Sequence, residues 1–573
     1  MQFKNIRIKN FRNFEDIYLN LENKNILFGL NDIGKTNFLF AIRFLFDREC
    51  RKNGLIESDF FQKRVSSEIE ITVEMDISDN SDNDNKKIRR RMGGAITSGY
   101  NTVFMQLKAN YTNESVSVLP ELFWGSDINY MEPIPSTQAY YEIDKIFNVV
   151  YIDSSVQLNN VFKHYTREIL KEENGITATE RDAIKGLINK LNGKISKLNS
   201  VKSIEDTIKD EYFRYRAEKG FQISIKSELE LENVSSKLVP YINYQGGSEY
   251  PTSGDGRRKL LAYTLLSLEN RRYEDLKINL FLIEELENHL HRSMQLAISR
   301  QLFTDGLFKY MFLTTHSSMI VSCMDKVNLI KIFKANKTDG KSIHYTVPEK
   351  YEKLKTQLNQ NLADAIYADY VLLVEGPSEK ILFETILATK CSEYELLGGY
   401  LLEVNGISFK EYRKILEELG VVTIIKTDND LKYNKDKKTY NHLGLNRAIG
   451  IIGGSKVVNK SYDPTQFEID KNKIKKDIYD INYKSEIELL EKSHIHLSRI
   501  DLEHDLYEAI PGKMDRFVSE KNTSKGAVEY LQDKKMIHMI ELCSELKATV
   551  TINKIYNHSR FTCIKELCEL CNQ

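Results

Sequence analysis

The chain has 573 residues, too many for one ordinary core and enough for about two to four domains. With 41% hydrophobic and 28% charged residues it is globular rather than disordered, and 81 Lys+Arg against 82 Asp+Glu neither demand nor exclude nucleic acid. Seven scattered cysteines exclude a disulfide scaffold, and no apolar run is long enough to span a membrane, so a soluble cytoplasmic protein is expected.

Alternating apolar and polar positions predict strands around Ile6 and Ile8 and around Ile17, Leu19 and Leu21. A short apolar run, 25–28, ends at Gly29, and residues 37–46 carry apolar positions at helical spacing. Further strands are predicted at 68–75, 103–107 and 149–152, with a polar loop over 78–91 between them. Residues 156–235 change to a helical stripe (Ile184, Leu187, Ile188, Leu191, Ile195, Leu198), either a layer on its own domain or a dimerisation arm. Strands and helices alternate again over 236–345, and 346–366 reads as a charged amphipathic connector. A second α/β unit begins near Asp369 with an apolar run at 370–374. Residues 431–480 are lysine-rich, either a solvated excursion or a DNA-backbone contact, and the chain from about 526 reads helical. Cys568-x-x-Cys571 lacks a second pair at finger spacing, so Cys563 and Cys568 read as apolar positions of a last helix.

Gly29-Leu30-Asn31-Asp32-Ile33-Gly34-Lys35-Thr36 has the spacing of a phosphate-binding loop between strand and helix. Glycines let backbone N–H groups approach phosphate, Lys35 supplies charge, the Thr36 hydroxyl suits Mg²⁺, and the helix dipole favours an anion. Gly29, Asn31, Gly34, Lys35, Thr36 and Asn37 are therefore the nucleotide-binding candidates. Such a loop needs an acidic partner at a neighbouring strand end. The apolar run 278–283 supplies the strand, Glu284 follows as a candidate for the Mg²⁺ shell, and Glu285 follows as a candidate to orient water. A further strand, 310–313, leads to His316, a candidate γ-phosphate sensor. Thr252-Ser253-Gly254-Asp255-Gly256-Arg257-Arg258-Lys259 opens a helix with an anion-cradling composition, which a turn and an N-cap explain equally well.

In the second unit, Val371-Leu372-Leu373-Val374-Glu375 is a buried strand ending in a carboxylate. The strand 421–425 ends in Asp428-Asn429-Asp430, two acids on one side of an extended chain. Glu375, Asp428 and Asp430 together suit hard, oxygen-seeking Mg²⁺ or Mn²⁺ and in-line attack on a phosphodiester, often with two metal ions.

Residues 6–14, the phosphate loop, the 252–259 loop, Glu284-Glu285-Leu286-Glu287-Asn288-His289-Leu290-His291 and Thr315-His316-Ser317 resemble the ABC-type ATPase domain of RecF/SMC proteins. The Glu284 string is most similar to the OLD (overcoming lysogenisation defect) family, departing from it at Leu286, where proline is usual. The 252–259 loop resembles the ABC signature, with Asp255 in place of the second glycine. The Glu375 and Asp428/Asp430 strings resemble a Toprim domain. The resemblance implies an α/β multidomain chain: an ABC-type P-loop ATPase domain over 1–350, with 156–235 as a helical insertion, followed by a Toprim domain over 366–573 with a C-terminal helical part. By the same resemblance Glu503 and Asp505 are second-metal candidates, and Lys535, or its neighbour Lys534, is the base or transition-state cation. Within the OLD family the chain is most similar to the nuclease subunits of Gabija anti-phage systems. That likeness implies a DNA endonuclease with ATP and Mg²⁺ at the phosphate loop and two Mg²⁺ or Mn²⁺ ions at the Toprim site. It also implies double-stranded DNA as substrate, assembly as a homodimer or homotetramer, and a UvrD-like helicase partner. The alternative expectation is a RecF/SMC-like ATP-driven clamp with a non-cleaving Toprim unit. A topoisomerase lacks support, because no catalytic tyrosine domain is recognisable among the 31 tyrosines.

Overall fold

The computed structural model describes residues 1–30, 32–93, 96, 101–111, 117–137, 140–153, 161, 177–204, 241–242, 250–251, 255–273, 276–334, 337–406, 408–521, 523–546 and 548–573. Asn31, Thr252, Ser253, Gly254 and most of the expected helical insertion lie outside these residues.

The alternating N-terminal segments pair as expected. β1 (Gln2–Phe11) lies antiparallel between β2 (Phe14–Asn20) and β4 (Ile69–Asp76). β5 (Thr102–Ala109), β6 (Glu121–Gly125) and β7 (Glu132–Pro133) continue that sheet. Its buried face, with Ile6, Ile8, Ile71 and Val73, packs on the helix Lys35–Phe46. The other side of that helix meets the second sheet through Leu27, Leu280, Leu282 and Phe312, so the helix after the phosphate loop is clamped between two sheets.

The second sheet runs β10 (Phe147–Ile152), β13 (Ile278–Glu284), β14 (Met311–Thr314), β3 (Lys24–Phe28), β15 (Val327–Lys334), β16 (Thr338–Tyr345). All pairs are parallel except β15 with β16. Both faces of its central strands are covered, which is why β13 is apolar from Ile278 to Ile283 but for the buried Asn279. Register aligns Glu284 with Thr314 and Thr314 with Leu27, bringing three strand ends and their loops side by side.

The third sheet is wholly parallel, in the order β18 (Gly399–Glu403), β17 (Tyr370–Val374), β19 (Val422–Thr427), β23 (Ile495–Leu497). The helix Lys355–Ile366 joins it to the second sheet and does more than connect. Its Leu358, Leu362 and Ile366 share one core with Ile26, Phe28 and Leu329 on one side and Val371 and Leu373 on the other. A small sheet, β20 (Lys432–Asn434), β21 (Thr439–Asn441) and β22 (Lys460–Ser461), occupies the lysine-rich stretch. Two antiparallel pairs, β8 (Ser136–Thr137) with β9 (Tyr140–Tyr141) and β11 (Tyr241–Ile242) with β12 (Tyr250–Pro251), complete the strands among the described residues.

Two expectations change. The polar loop predicted at 78–91 contains the helix Asn83–Met92, capped by the Asp82 carboxylate and seated through Asn85, Ile88 and Met92. Only those three side chains are buried, so the apolar stripe is too sparse to see in the sequence. Within the expected helical stripe, the helix Ala178–Ile195 starts at a Thr177/Glu180 capping box and buries Ile188, while Leu187 and Leu191 are exposed. The C-terminal helix Thr562–Cys571 buries Cys563 and Cys568, as their apolar reading requires, and Cys571 with them. Among the described residues no helix is long and apolar enough to cross a membrane.

Candidate nucleotide site and carboxylate centre

At the first site the phosphate loop is held open by its own backbone requirements. Gly34 has φ 124° and lies against Asn13, whose side-chain amide donates to the Ile33 carbonyl at 2.6 Å. Lys35 is buried and folds back to donate to the carbonyls of Gly29 (2.8 Å) and Leu30 (2.9 Å). Burial lowers its pKa, while Glu285, Glu284, Asp32 and Glu287 pull the other way. The Thr36 hydroxyl donates to Glu284 Oε1, and Tyr151 OH donates to Glu284 Oε2 at 2.6 Å. Thus the residue types suited to Mg²⁺ meet across two strand ends. Asn37 is engaged with Asn13 (2.8 Å) and Arg12 (3.0 Å), which ties the first helical turn to the turn between β1 and β2.

Glu285 stands just beyond β13 with φ 46°, and its Oε2 accepts from Asn288 at 3.2 Å. His316 Nε2 is 3.9 Å from Glu285 Oε1. Burial and then Lys35 lower the His316 pKa, against Glu285. Two neighbours were not singled out from the sequence. Glu287 accepts from Thr315 Oγ1 (2.9 Å) and His316 N (2.5 Å), fixing the loop that carries the histidine. Tyr367 stacks on the His316 ring at 5.3 Å. The acid at Glu287 was visible in its string, but nothing near Tyr367 in sequence points to His316.

The second site gathers at the carboxyl ends of β17 and β19. Glu375 Oε1 accepts from Thr427 Oγ1 (2.6 Å) and Asp428 N (2.9 Å), so the two strand ends are stitched together. Asp428 is buried, and burial raises its pKa well above the carboxylate range, reinforced by Glu375, Glu379, Asp501 and Glu503. Glu379, one turn along the helix Pro377–Lys390, is pushed up to about 7 by burial, with Glu375 and Glu503 adding to the effect. Glu503 is also raised by burial, against Lys535, whose Nζ is 3.8 Å from Glu503 Oε1. Lys535 in turn feels Glu503, Asp428, Glu379 and Asp501, which outweigh its own burial. Lys534 lies beside it as the residue capping the same helix. Asp430 is half-exposed, between Arg447 (3.4 Å) and Lys475 (3.9 Å).

Asp505 does not join this group. It is fully buried, with Oδ2 on Lys426 Nζ at 2.9 Å and Oδ1 on Arg499 N at 3.1 Å, so both oxygens are taken by a buried ion pair and a backbone amide. The helix Leu502–Ala509 directs its first-turn acids to different surroundings, and Glu503 and Asp501 are the ones acting on Asp428. Glu379 and Asp501 thus add their charge to the field at Asp428. Glu379 was legible as an acid one helical turn after Glu375, and Asp501 as the start of the late acidic cluster.

The donor set fits a hard divalent cation. Carboxylates are the ligands such ions prefer, the field at Asp428 disfavours its own charge, and Glu503 Oε2 is buried without a hydrogen-bond partner. Among the described residues no three such groups already converge into a cage for an ion. Arg447 Nη2 reaches Glu375 Oε1 at 2.6 Å, so a guanidinium covers the point between Glu375 and Asp430.

Comparison with known proteins accords with both halves. A family model described as AAA ATPase domain matches residues 1–321, and one described as overcoming lysogenization defect protein-like, TOPRIM domain, matches 366–430. The chain is 42% identical over 580 residues to an endonuclease GajA from Bacillus cereus (strain VD045), covering 99% of each chain. It is 27% identical over 312 residues to the DNA replication and repair protein RecF of Clostridium botulinum (strain Langeland), covering 47% of this chain and 81% of that one. Among solved structures, an SMC head bound to the C-terminal winged-helix domain of ScpA aligns at TM-score 0.36 and 11% identity, covering 62% of this chain and 100% of that one.

Proposed function

Because the chain belongs to the GajA endonuclease family, joining a P-loop ATPase domain to an OLD-like Toprim domain, we propose that it is a metal-dependent DNA endonuclease whose cutting is governed by nucleotide at the ATPase site. The observation that carries this reading is the joining of two strand-end acids, Glu375 accepting from Asp428 N at 2.9 Å, together with the buried Glu503, whose Oε1 lies 3.8 Å from Lys535 Nζ and whose Oε2 has no hydrogen-bond partner.

Glu375, Asp428, Asp430 and Glu503 would hold one or two Mg²⁺ or Mn²⁺ ions, with Glu379 and Asp501 completing the donor set. Such an ion, when bound, polarises a phosphoryl oxygen and lowers the pKa of a ligated water. Lys535 would hold a proton or balance negative charge growing on the phosphodiester. The β20–β21–β22 sheet begins two residues after Asp430, and its exposed Lys432, Lys435, Lys437, Lys438 and Lys460 suit a double-stranded DNA backbone.

At the first site Gly29, Gly34, Lys35, Thr36 and Asn37, with Asn31, would bind ATP. Glu284 would hold the Mg²⁺ shell, Glu285 would orient water, and His316 would read the γ-phosphate. The resemblance to Gabija nuclease subunits supports a role in anti-phage defence beside a UvrD-like helicase subunit, and assembly as a homodimer or homotetramer in the cytoplasm. The domain limits 1–350 and 366–573, with 156–235 as a dimerisation arm, belong to the same reading.

The test is cleavage of supercoiled plasmid with Mg²⁺ or Mn²⁺, with and without ATP, beside the Glu375→Ala and Asp428→Ala proteins. Nicked or linear product that vanishes in both variants supports the nuclease. A folded wild type that binds DNA under ATP but yields no product on a panel of sequences supports a RecF/SMC-like clamp instead.

A further inference from the structure

The two proposed sites meet through three consecutive residues. Tyr367 caps the end of the helix Lys355–Ile366 and is partly buried, packed against the shared core. Its ring faces the His316 imidazole at 5.3 Å with 19° between the planes. Its edge meets Phe28, the last residue of the strand leading into the phosphate loop, at 5.6 Å. Its hydroxyl donates to the Thr315 carbonyl. Ala368 is next, and its carbonyl accepts from the buried Lys331 of β15 at 2.7 Å. Asp369 follows and registers the third sheet: its N donates to Gly398 O (2.8 Å), and its carbonyl accepts from Val422 N (2.9 Å). From Asp369 the chain runs straight through β17 to Glu375. One turn before Tyr367, Asp364 feels Lys380 on the helix that carries Glu379.

Nothing in ordinary packing asks for a tyrosine here. A leucine would fill the core, but it would neither stack on His316 nor bond the carbonyl beside it. We infer that Tyr367 is the positioning residue that couples nucleotide occupancy at the phosphate loop to the carboxylate centre. The inference deepens the proposed nucleotide control and rests on that reading. Any change at His316 that accompanies filling of the loop moves the ring stacked on Tyr367. The close-packed core converts that movement into a shift of β17 against β18 and β19, which sets the spacing of Glu375 and Asp428. The coupling has a reciprocal: metal at the carboxylate centre alters nucleotide affinity by the same factor as nucleotide alters metal affinity.

The experiment uses the full chain and the variants Tyr367→Leu and Tyr367→Phe, with His316→Gln alone and combined with each. Three quantities are read: nucleotide affinity, Mn²⁺ affinity with and without a non-hydrolysable ATP analogue, and plasmid cleavage with and without nucleotide. Couplings of this kind are typically about 5- to 150-fold. Tyr367→Leu is expected to reduce the effect of nucleotide on Mn²⁺ affinity and cleavage to within about twofold, while nucleotide still binds and cleavage without it persists. Tyr367→Phe keeps the stack and retains part of the response. Retention of the wild-type response in Tyr367→Leu overturns the inference. If that variant does not fold, effects of Tyr367→Phe and His316→Gln that add to within about twofold overturn it, and non-additive effects support it. A wild type whose cleavage and Mn²⁺ affinity both ignore nucleotide defeats the regulatory reading itself, and this inference with it. A response that is present but unaltered in Tyr367→Leu defeats only the inference.

Discussion

Arg447 Nη2 lies 2.6 Å from Glu375 Oε1 and 3.4 Å from Asp430 Oδ2, so a positive side chain spans two of the acids that a divalent cation would use. The pair is part-exposed, and its worth is roughly 1 kcal/mol. Arg447 and metal compete for the same charge. Arg447→Ala is therefore expected to tighten Mn²⁺ binding by about fivefold and to shift the metal dependence of cleavage to lower concentration. Titration calorimetry of the metal-free protein reads this directly. Weaker Mn²⁺ binding in the variant would mean that Arg447 orients Glu375 rather than occupying the cation's place.

Lys535 and Lys534 are adjacent in sequence but differ in surroundings. Lys535 sits 3.8 Å from Glu503 and in the field of Asp428, Glu379 and Asp501. Lys535→Met is expected to lower cleavage by about 100-fold or more, the scale of a positioned proton-transfer or charge-balancing group. It should also raise the Glu503 pKa further, because the opposing charge is gone, so the residual activity should move to higher pH. Lys534→Met should remain within about threefold of wild type, since nothing places it at the acids. Single-turnover rates across pH for both variants separate these outcomes.

The parts of the molecule legible in the sequence are those set by local pattern. Gly29 to Thr36 demanded a strand, a tight loop and a helix, and β3 and the helix Lys35–Phe46 are there. The apolar run of β13 ended in acids because a buried strand can place a carboxylate only at its end. Partners distant in sequence were not legible. Arg447 reaches Glu375, Lys426 neutralises Asp505 and Tyr367 stacks on His316 only because sheet order brings them together. The family resemblance paired Glu503 and Asp505 as ligands of a second metal. The segment turns helical after Asp501, so Asp505 projects into the interior instead. The helix Asn83–Met92 was hidden for a related reason: its charged residues pair with groups far along the chain, such as Lys309 with Asp84 at 2.9 Å.

His442 is fully buried between Tyr440 and Tyr483, and both ring nitrogens lack a partner. Burial, then Lys460, lowers its pKa to about 4. The unfolded chain, with a pKa near about 6.5, therefore takes up the proton first as pH falls. The contribution to stability is full above about pH 6.5 and is lost as pH drops towards about 4, amounting to about 2 kcal/mol by pH 5. His442→Phe fits the same aromatic surroundings and removes the titration. Its urea midpoint should fall less between pH 7 and pH 5 than that of the wild type, the other acids being common to both. Parallel slopes would show that His442 is not held neutral in the fold.

The ion pair of Lys426 and Asp505 decides between two roles for an acid. Burial works to discharge Lys426, and Asp505 holds it charged; the two side chains are 3% and 0% exposed. Lys426 Nζ also donates to Arg560 O at 3.1 Å, linking β19 to the turn before the C-terminal helix. Removing one partner strands the other charge in the core, so Asp505→Ala is expected to cost about 3–5 kcal/mol of stability. Replacing both, with Lys426→Met and Asp505→Leu, removes the stranded charge and should restore most of that loss. If Asp505 is structural, the double variant regains both stability and Mn²⁺ binding. If Asp505 ligates metal, as the family resemblance implies, the double variant regains stability while Mn²⁺ affinity stays lost. Thermal unfolding and Mn²⁺ titration of the three proteins distinguish the two, because a packing defect and a missing ligand respond oppositely to the second substitution.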